Sequence, residues 1–295
     1  MKNSNISIIT TSFNCADYIE TTIKSVVNQD IKAQYIVMDA ASTDNTMEIV
    51  NRYKDSIDVI SSEPDKGMYY GINNGACHVS GNIMGWLNAD DAYLPWTFSV
   101  VEDIFNAHPE IDWIIGQPSY LNEKGQCIKV SSNAGTAYPR KYIQNGWFQP
   151  QFAGYLQQES MFWRKSLWDK VGGLNTGLTL AADFDLWMRF AQHADLYSVS
   201  TPLSSFRLRP GEQQSSVSGD KYTEEVNALC AGLAKPNIIW RALSKQSDAL
   251  RVLLRLLIWK KSKILKYSSS SKTWVIKKIY RPLSRYSITE VLSEL

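Results

Sequence analysis

The chain has 295 residues and a formal net charge of +2 at neutral pH, with the hydrophobic and charged fractions of a soluble globular protein able to bury a sizeable core. No stretch approaches the ~20 consecutive apolar residues that a membrane span requires. The N-terminal run from Met1 to Asn5 is too short and polar for a secretory signal. Cys15, Cys77, Cys127 and Cys230 are scattered without a C-x-x-C, which argues for a reducing, cytoplasmic setting and against a structural zinc.

Strand and helix patterns alternate over the first 115 residues. Ile6–Thr10 reads as a strand and Tyr18–Val27 as a helix with apolar residues at helical spacing. Tyr35–Met38, Ile57–Ile60, Ile83–Leu87 and Trp113–Ile115 read as further strands. Thr46–Tyr53, Met68–Val79 and Trp96–Phe105 read as the helices between them. This alternation predicts an α/β fold with a mostly parallel, doubly wound sheet. The pattern breaks after Gly116. Asn122–Gly125 reads as a hairpin turn, followed by a loop-rich stretch dense in aromatics: Tyr138, Tyr142, Trp147, Phe148, Phe152 and Tyr155. Regular pattern resumes at Ser160–Trp163 and at a helix near Asp183–Gln192, with Gly172-Gly173 as a loop between them.

The near-neutral total conceals an asymmetry. Residues 235–295 carry 14 Lys/Arg against 3 Asp/Glu, so the remainder is clearly acidic. This places a boundary near Lys235-Pro236, with residues 1–234 as the main domain and 235–295 as a basic, amphipathic, helical C-terminal extension. Leu250 to Trp259, interrupted by Arg251 and Arg255 and followed by Lys260-Lys261-Ser262-Lys263, suits a helix on an anionic membrane surface. The same pattern is met by a helix docked on the domain with its basic face solvated. Nucleic acid is a weaker partner, since the basic residues follow no nucleic-acid-binding motif. Ser268–Ser271 reads as a flexible joint.

The segment Ile83 to Asp91 ends a short apolar run in two adjacent aspartates. In an open α/β sheet, ligands bind beyond the carboxyl ends of the strands. Neighbouring carboxylates repel, and Mg²⁺ or Mn²⁺ sharing the site would relieve them while holding a diphosphate. An Asp-Asp turn capping the helix near Pro95 meets the same pattern. Asp39 closes the second strand, where a carboxylate can accept hydrogen bonds from ribose or a base. Ser42 or Thr43 is expected to cap the next helix, and Asp44 to sit in its first turn. Thr11 and Phe13, after the first strand, are placed either to hold a nucleobase or for ordinary loop packing. The absence of G-x-G-x-x-G and G-x-x-x-x-G-K-[ST] disfavours a dinucleotide dehydrogenase or P-loop NTPase. Asp183 opens a helix in which Phe184, Leu186, Trp187 and Phe190 face inward. It is typed either as a cap or as a general base.

Ser25-Val26-Val27-Asn28-Gln29, Asp39 with Ser42-Thr43-Asp44-Asn45-Thr46, and Ser62-Glu63-Pro64-Asp65-Lys66-Gly67 occur in that order. Leu87-Asn88-Ala89-Asp90-Asp91, Phe162-Trp163-Arg164-Lys165, Val171-Gly172-Gly173-Leu174 and Asp183-Phe184-Asp185-Leu186-Trp187-Met188-Arg189 follow. Across residues 4–215 this series resembles the family 2 glycosyltransferases of GT-A fold, in particular bacterial enzymes that build surface polysaccharides. The resemblance implies inverting transfer from a nucleoside-diphosphate sugar to a glycan or lipid-linked acceptor, dependent on Mg²⁺ or Mn²⁺. It puts Thr11, Phe13 and Asp39 at the nucleoside, Lys66 at the diphosphate, Asp90 and Asp91 on the acidic metal motif, with Asp90 on the nucleotide and Asp91 in direct contact with the metal, and Asp183 as catalytic base. The flat apolar faces of the aromatic segment 138–163 suit either a wall for the acceptor sugar or packing in the core, and on the membrane reading the extension makes the protein peripheral to the inner face of a membrane. Ala40 and Arg209 depart from the family pattern, which often has an acidic residue and a histidine there. The alternatives are a nucleotidyltransferase, or a non-catalytic nucleotide-sugar-binding assembly protein on the same fold.

Overall fold

The computed structural model describes residues 5–131, 136–149, 152–209, 219–235 and 248–283. The first half alternates as the hydrophobic pattern predicts: β1 (Ile6–Ser12), α1 (Ile19–Val27), β2 (Gln34–Asp39), α2 (Thr46–Arg52), β3 (Val59–Ser62), α3 (Met68–Ala76) and β4 (Ile83–Trp86). A short β5 (Ala92–Tyr93), α4 (Thr97–Ala107) and β6 (Trp113–Ile115) follow. The hairpin turn expected at Asn122–Gly125 joins β7 (Ser119–Leu121) to β8 (Cys127–Val130). Beyond α5 (Arg140–Gln144) come β9 (Met161–Arg164), α6 (Lys165–Val171), α7 (Ala182–His193), β10 (Leu196–Val199), β11 (Ser204–Arg207) and α8 (Gly219–Leu229). The C-terminal part holds α9 (Asp248–Leu257), β12 (Trp259–Ser268) and β13 (Thr273–Pro282).

Nine strands form one sheet in the order β13-β12-β10-β6-β9-β4-β1-β2-β3. Pairs within β4-β1-β2-β3 are parallel, as are β6-β10 and β10-β12, whereas β9 runs antiparallel between β4 and β6. A smaller sheet, β5-β11-β7-β8, stands beside it. Alternation along the strands divides the core between the two faces. Ile6, Ile8 and Val37 pack with residues of α1, α2 and α4 on one side. Ile9, Ile36, Trp86, Trp113 and Trp163 pack with residues of α3, α6 and α7 on the other. At Gly85 the sheet leaves no room for a side chain: a Cβ there would lie 2.9 Å from Ile8, Phe162 and Tyr93 atoms.

The extension differs from the expected run of helix. α9 is helical as foreseen, but Trp259 onward forms a β-hairpin, and Ser268–Ser271 belongs to its turn rather than to a flexible joint. The physical reason is side-chain type. Ile264 and Leu265 are fully buried on successive positions of a strand, and Trp274, Val275 and Ile276 supply the aromatic and β-branched residues that a pleated surface favours. β12 extends the main sheet by pairing in parallel with β10. Among the described residues no helix is long and apolar enough to cross a membrane.

Candidate active site

The carboxyl ends of β1, β2 and β3 converge on Asp39. Its Oδ1 accepts hydrogen bonds from Ser12 Oγ (2.8 Å) and Ser42 Oγ (2.5 Å). Its Oδ2 accepts from the Ser42 N–H (2.9 Å) and Ser62 Oγ (2.7 Å). The carboxylate therefore knits three strand ends together, at 3% exposure. Ser42 serves Asp39 instead of capping α2. The N-cap position of α2 is Asn45, which makes no side-chain cap, and the N–H of Thr46 at the helix start donates to Asp44 Oδ1 (2.9 Å). Ala41, between these residues, has φ 56°, a left-handed conformation that costs a residue with a Cβ on the order of 1 kcal/mol and marks a constrained loop. Phe13 projects nearby with 59% of its surface exposed, while Thr11 is buried. Thr11 Cγ2 comes within 3.0 Å of where a Cβ at Gly71 would stand, so α3 packs directly on it. Lys66 is exposed, with its ammonium 5.7 Å from the Tyr70 ring centroid.

The strand-end pair Asp90-Asp91 divides its two carboxylates between two environments. Asp91 is fully buried; its Oδ1 accepts from the Arg207 N–H (2.9 Å) and its Oδ2 from Asn88 Nδ2 (3.4 Å). Desolvation first, then the charges of Asp90 and Glu159, push its pKa well above the ordinary carboxylate range, against the opposing influence of Arg207. Asp90 keeps 15% of its side chain exposed and pairs with Arg209, Nη2 to Oδ2 2.5 Å. Arg207 is 1% exposed and holds the turn from behind, Nε donating to Asp90 O (2.6 Å) and Nη1 to the carbonyls of Asn122 (3.1 Å) and Glu123 (3.0 Å). Both guanidinium groups lie over the Tyr18 ring, at 5.1 and 5.0 Å. From the other side Thr22 Oγ1 donates to Ala89 O (2.9 Å) and Asp91 O (2.7 Å). Gln29, in the Asn28-Gln29 motif, donates to Leu94 O (2.8 Å), so that motif works by fixing the segment after the acidic turn.

Asp183 lies in the first turn of α7. The helix is pinned to the sheet by an aromatic cluster: Trp187 stacks on Trp113 (5.9 Å), and Phe190 meets Trp113 edge-on (5.4 Å). Burial raises the Asp183 pKa to about 6, opposed by backbone hydrogen bonds from Phe184 and from its own N–H. Its Oδ1 is buried and has no hydrogen-bond partner among the described residues. Tyr69 of α3 connects the two acidic centres. Backbone hydrogen bonding ties it to Ala182, its phenol feels the Asp183 charge, and its ring meets Trp86 edge-on at 6.1 Å. Trp86 Nε1 in turn donates to Asn88 Oδ1 (2.8 Å), beside Asp91.

Asp90, Asp91 and Asp183 are thus joined through one run of packed side chains, with Thr11 against α3 and the Asp39 cluster at the neighbouring strand ends. The expected aromatic wall is mostly core. Tyr138 and Phe148 are buried against each other (5.4 Å), Tyr142 packs on Trp147 (4.6 Å), and Tyr155 alone among the six is an exposed large side chain. Sequence reasoning gave no role to Tyr69 or Arg207, nor to Asn88 within its motif; all three act through what they touch. Among the described residues no cluster of three or more His, Cys, Asp or Glu side chains forms a metal cage. Magnesium, however, takes as few as one or two protein carboxylates beside substrate phosphates. Asp90, partly exposed, fits that demand. Asp91 is enclosed and hydrogen-bonded.

Comparison with known proteins gives a consistent answer. The family model for glycosyl transferase family 2 matches residues 7–170. An uncharacterized glycosyltransferase of Haemophilus influenzae is 25% identical over 97% of this chain and 89% of its own length. One of Mycobacterium tuberculosis is 33% identical over 68% of this chain and 74% of its own. A Rickettsia conorii relative, 27% identical, is matched over 37% of its length, so the chain spans well under half of that protein. Among solved structures, S. aureus TarS 1-349 in complex with UDP-GlcNAc superposes with a TM-score of 0.61 at 17% identity, covering 81% of this chain and 70% of that one. The mannosyltransferase PcManGT from Pyrobaculum calidifontis, in complex with GDP-Man and Mn2+, gives 0.56 at 16% identity, covering 85% and 72%. The fold is the GT-A fold, and the chain belongs to glycosyl transferase family 2.

Proposed function

We propose that this glycosyltransferase moves a sugar, with inversion, from a nucleoside-diphosphate sugar to a hydroxyl of a glycan or lipid-linked acceptor in polysaccharide biosynthesis. The observation that carries the reading is Asp183: a carboxylate with its pKa raised to about 6 and a buried Oδ1 that finds no hydrogen-bond donor among the described residues. An acceptor hydroxyl would be that donor, and a base titrating near neutrality is suited to taking its proton. Family membership favours glycosyl over nucleotidyl transfer.

In this mechanism Phe13 stacks on the nucleobase, with Thr11 and Asp39 shaping the nucleoside pocket and Lys66 approaching the diphosphate. Mg²⁺ or Mn²⁺, held by Asp90 together with the donor diphosphate, would supply charge neutralisation for the departing nucleotide. Support for the donor class comes from the neighbours, solved in complex with UDP-GlcNAc and with GDP-Man and Mn2+. The burial of Asp91 favours Asp90 over Asp91 as the contact to metal, with Asp91 fixing the turn. Asp183 deprotonates the acceptor hydroxyl, which attacks the anomeric carbon from the face opposite the diphosphate and inverts it.

The reading includes a cytoplasmic protein resting on an anionic membrane through residues 235–295. On one face of the hairpin Trp259 (54% exposed), Lys261, Lys278 and Tyr280 (66%) are exposed together, with Leu257 (72%) at the end of α9. Aromatics interleaved with lysine suit a lipid headgroup layer.

A thermal-shift screen of nucleoside diphosphates and their sugars, with and without Mn²⁺, tests the donor site. Stabilisation by one nucleotide, lost in Asp90→Ala, is expected. No shift with any nucleotide would return the non-catalytic alternative. Sedimentation with phosphatidylserine vesicles, wild type against Lys261→Glu/Lys278→Glu, tests the membrane contact; equal binding by both would remove it.

A further inference from the structure

Helix α7 begins without a side-chain cap: its N-cap residue is Ala181, which offers no hydrogen-bonding side chain to the free N–H groups there. The segment entering the helix is held instead from another helix. Glu225 of α8 accepts three consecutive backbone N–H groups in the segment entering α7: Thr179 on Oε1 (2.9 Å), and Leu180 and Ala181 on Oε2 (both 2.9 Å). These backbone bonds, against desolvation, hold the Glu225 pKa below the ordinary glutamate value, so the group is an anion at neutral pH. The contact is reinforced by packing. Val226, on the next position of α8, is 2% exposed in a cluster with Ala181 and Phe184, against which Tyr222 packs. Tyr222 also lies within reach of the Asp183 charge. The upstream end of the same segment is held separately: Asn73 Nδ2 donates to Leu174 O (2.9 Å), and the Leu174 N–H donates to Asn73 Oδ1 (3.0 Å).

We propose that Glu225 is a positioning residue for the transfer reaction, its carboxylate fixing the 179–181 backbone so that Asp183 is presented at the correct place and angle to the acceptor hydroxyl. The argument is one of geometry. Asp183 follows the clamped segment by two residues, and charge-assisted bonds to three successive N–H groups define that backbone more tightly than a single capping hydroxyl would. A catalytic group displaced by about 1 Å can lose on the order of 100-fold in rate. Glu225 touches neither donor nor acceptor in this scheme. Both α7 and α8 lie beyond residues 7–170, the segment matched by the family model.

The inference rests on Asp183 being the base, and the test separates the two. Full-length wild type, Glu225→Ala, Glu225→Gln and Asp183→Asn are compared by amide hydrogen exchange and by release of nucleoside diphosphate from whichever of UDP-GlcNAc and GDP-mannose is turned over. In Glu225→Ala the amides of residues 179–181 are expected to lose protection. kcat should fall by about 10- to 100-fold with donor KM within about two-fold of wild type, because the acceptor-side base alone is displaced. Glu225→Gln, which keeps one acceptor oxygen and the same shape, should fall between the two and controls for folding. Unchanged exchange at 179–181, or lost protection with unchanged kcat, would overturn the positioning role while leaving Asp183 as base. Wild-type kcat in Asp183→Asn would overturn the base, and the positioning role with it.

Discussion

Arg209 closes on Asp90 across the open side of the acidic turn, Nη2 to Oδ2 2.5 Å, with its guanidinium over the Tyr18 ring. The pairing sets a fixed cation beside the carboxylate proposed above to meet a metal-bound diphosphate. Arginine presents a planar fork suited to phosphate oxygens and never releases its charge in the working pH range. The turn therefore carries its own counter-charge. Arg209→Ala is expected to weaken nucleoside-diphosphate binding in EDTA by about ten-fold, the scale of one charge-assisted hydrogen bond. Added Mn²⁺ should narrow the deficit, because Asp90 is then free for the ion. Isothermal titration of both proteins with and without Mn²⁺ measures this; equal affinities in EDTA would show that Arg209 serves Asp90 alone.

Asp183 leads to a paired prediction in rate and stability. With its pKa near 6, kcat/KM should fall about ten-fold per pH unit below that value and level off above it. The stability effect has the opposite sense. Between the ordinary value of 3.8 and about 6, the folded protein holds a proton that the unfolded chain has released, so stability declines as pH rises through that window. At pH 7.5 burying the charge costs at most about 3 kcal/mol. Asp183→Asn should consequently abolish transfer yet raise Tm by a few degrees at pH 7.5, with no gain at pH 3. Thermal denaturation at the two pH values distinguishes this from a structural role, in which the variant would lose stability at both.

The alternating first half of the chain was legible because each strand is a short apolar run and each helix carries an apolar stripe. Those patterns record burial on a two-faced sheet. The same logic identified α7, since Trp187 and Phe190 at helical spacing face the sheet. What could not be read is direction at a single position. Asp90 and Asp91 are chemically identical neighbours, and only the geometry at the strand end leaves one partly exposed and buries the other. The aromatics between Tyr138 and Tyr155 were equally ambiguous, because ring faces suit a sugar and a core alike. Glu225 gave no signal: its role depends on α8 folding back across α7, a contact between elements far apart in sequence. The hairpin was hidden by its lysines, which made an amphipathic strand pair resemble a basic helix.

Asp39 offers a prediction about folding as much as binding. Its four donors come from β1, the β2–α2 loop and β3. Asp39→Ala leaves three hydroxyls and an N–H without their acceptor in a site 3% exposed, a loss of about 2–4 kcal/mol. Nucleotide binding should fail at the same time, so loss of binding alone would not assign a base contact. Urea unfolding gives the stability change. A shift under about 0.5 kcal/mol would mean that the serine hydroxyls find water or one another instead.

Ile264 tests whether the basic C-terminal part is an appendage or a part of the fold. It is fully buried in β12, pairs with Ser198 of β10, and β10 directly follows the helix that carries Asp183. Truncating it to alanine removes three buried carbons and leaves a cavity in the sheet, an expected loss of about 2–5 kcal/mol. If β12 shares one cooperative core with β10 and β6, the whole protein should unfold at lower urea, in one transition, with the fluorescence of buried Trp113, Trp163 and Trp187 following the far-ultraviolet signal. An appendage behaves differently. Its own strands would melt early while that tryptophan cluster, packed around α7, kept its wild-type midpoint. Coincident transitions would place the boundary near Lys235 inside a single folding unit, and separated ones would make residues 235–295 an independent module attached to the transferase.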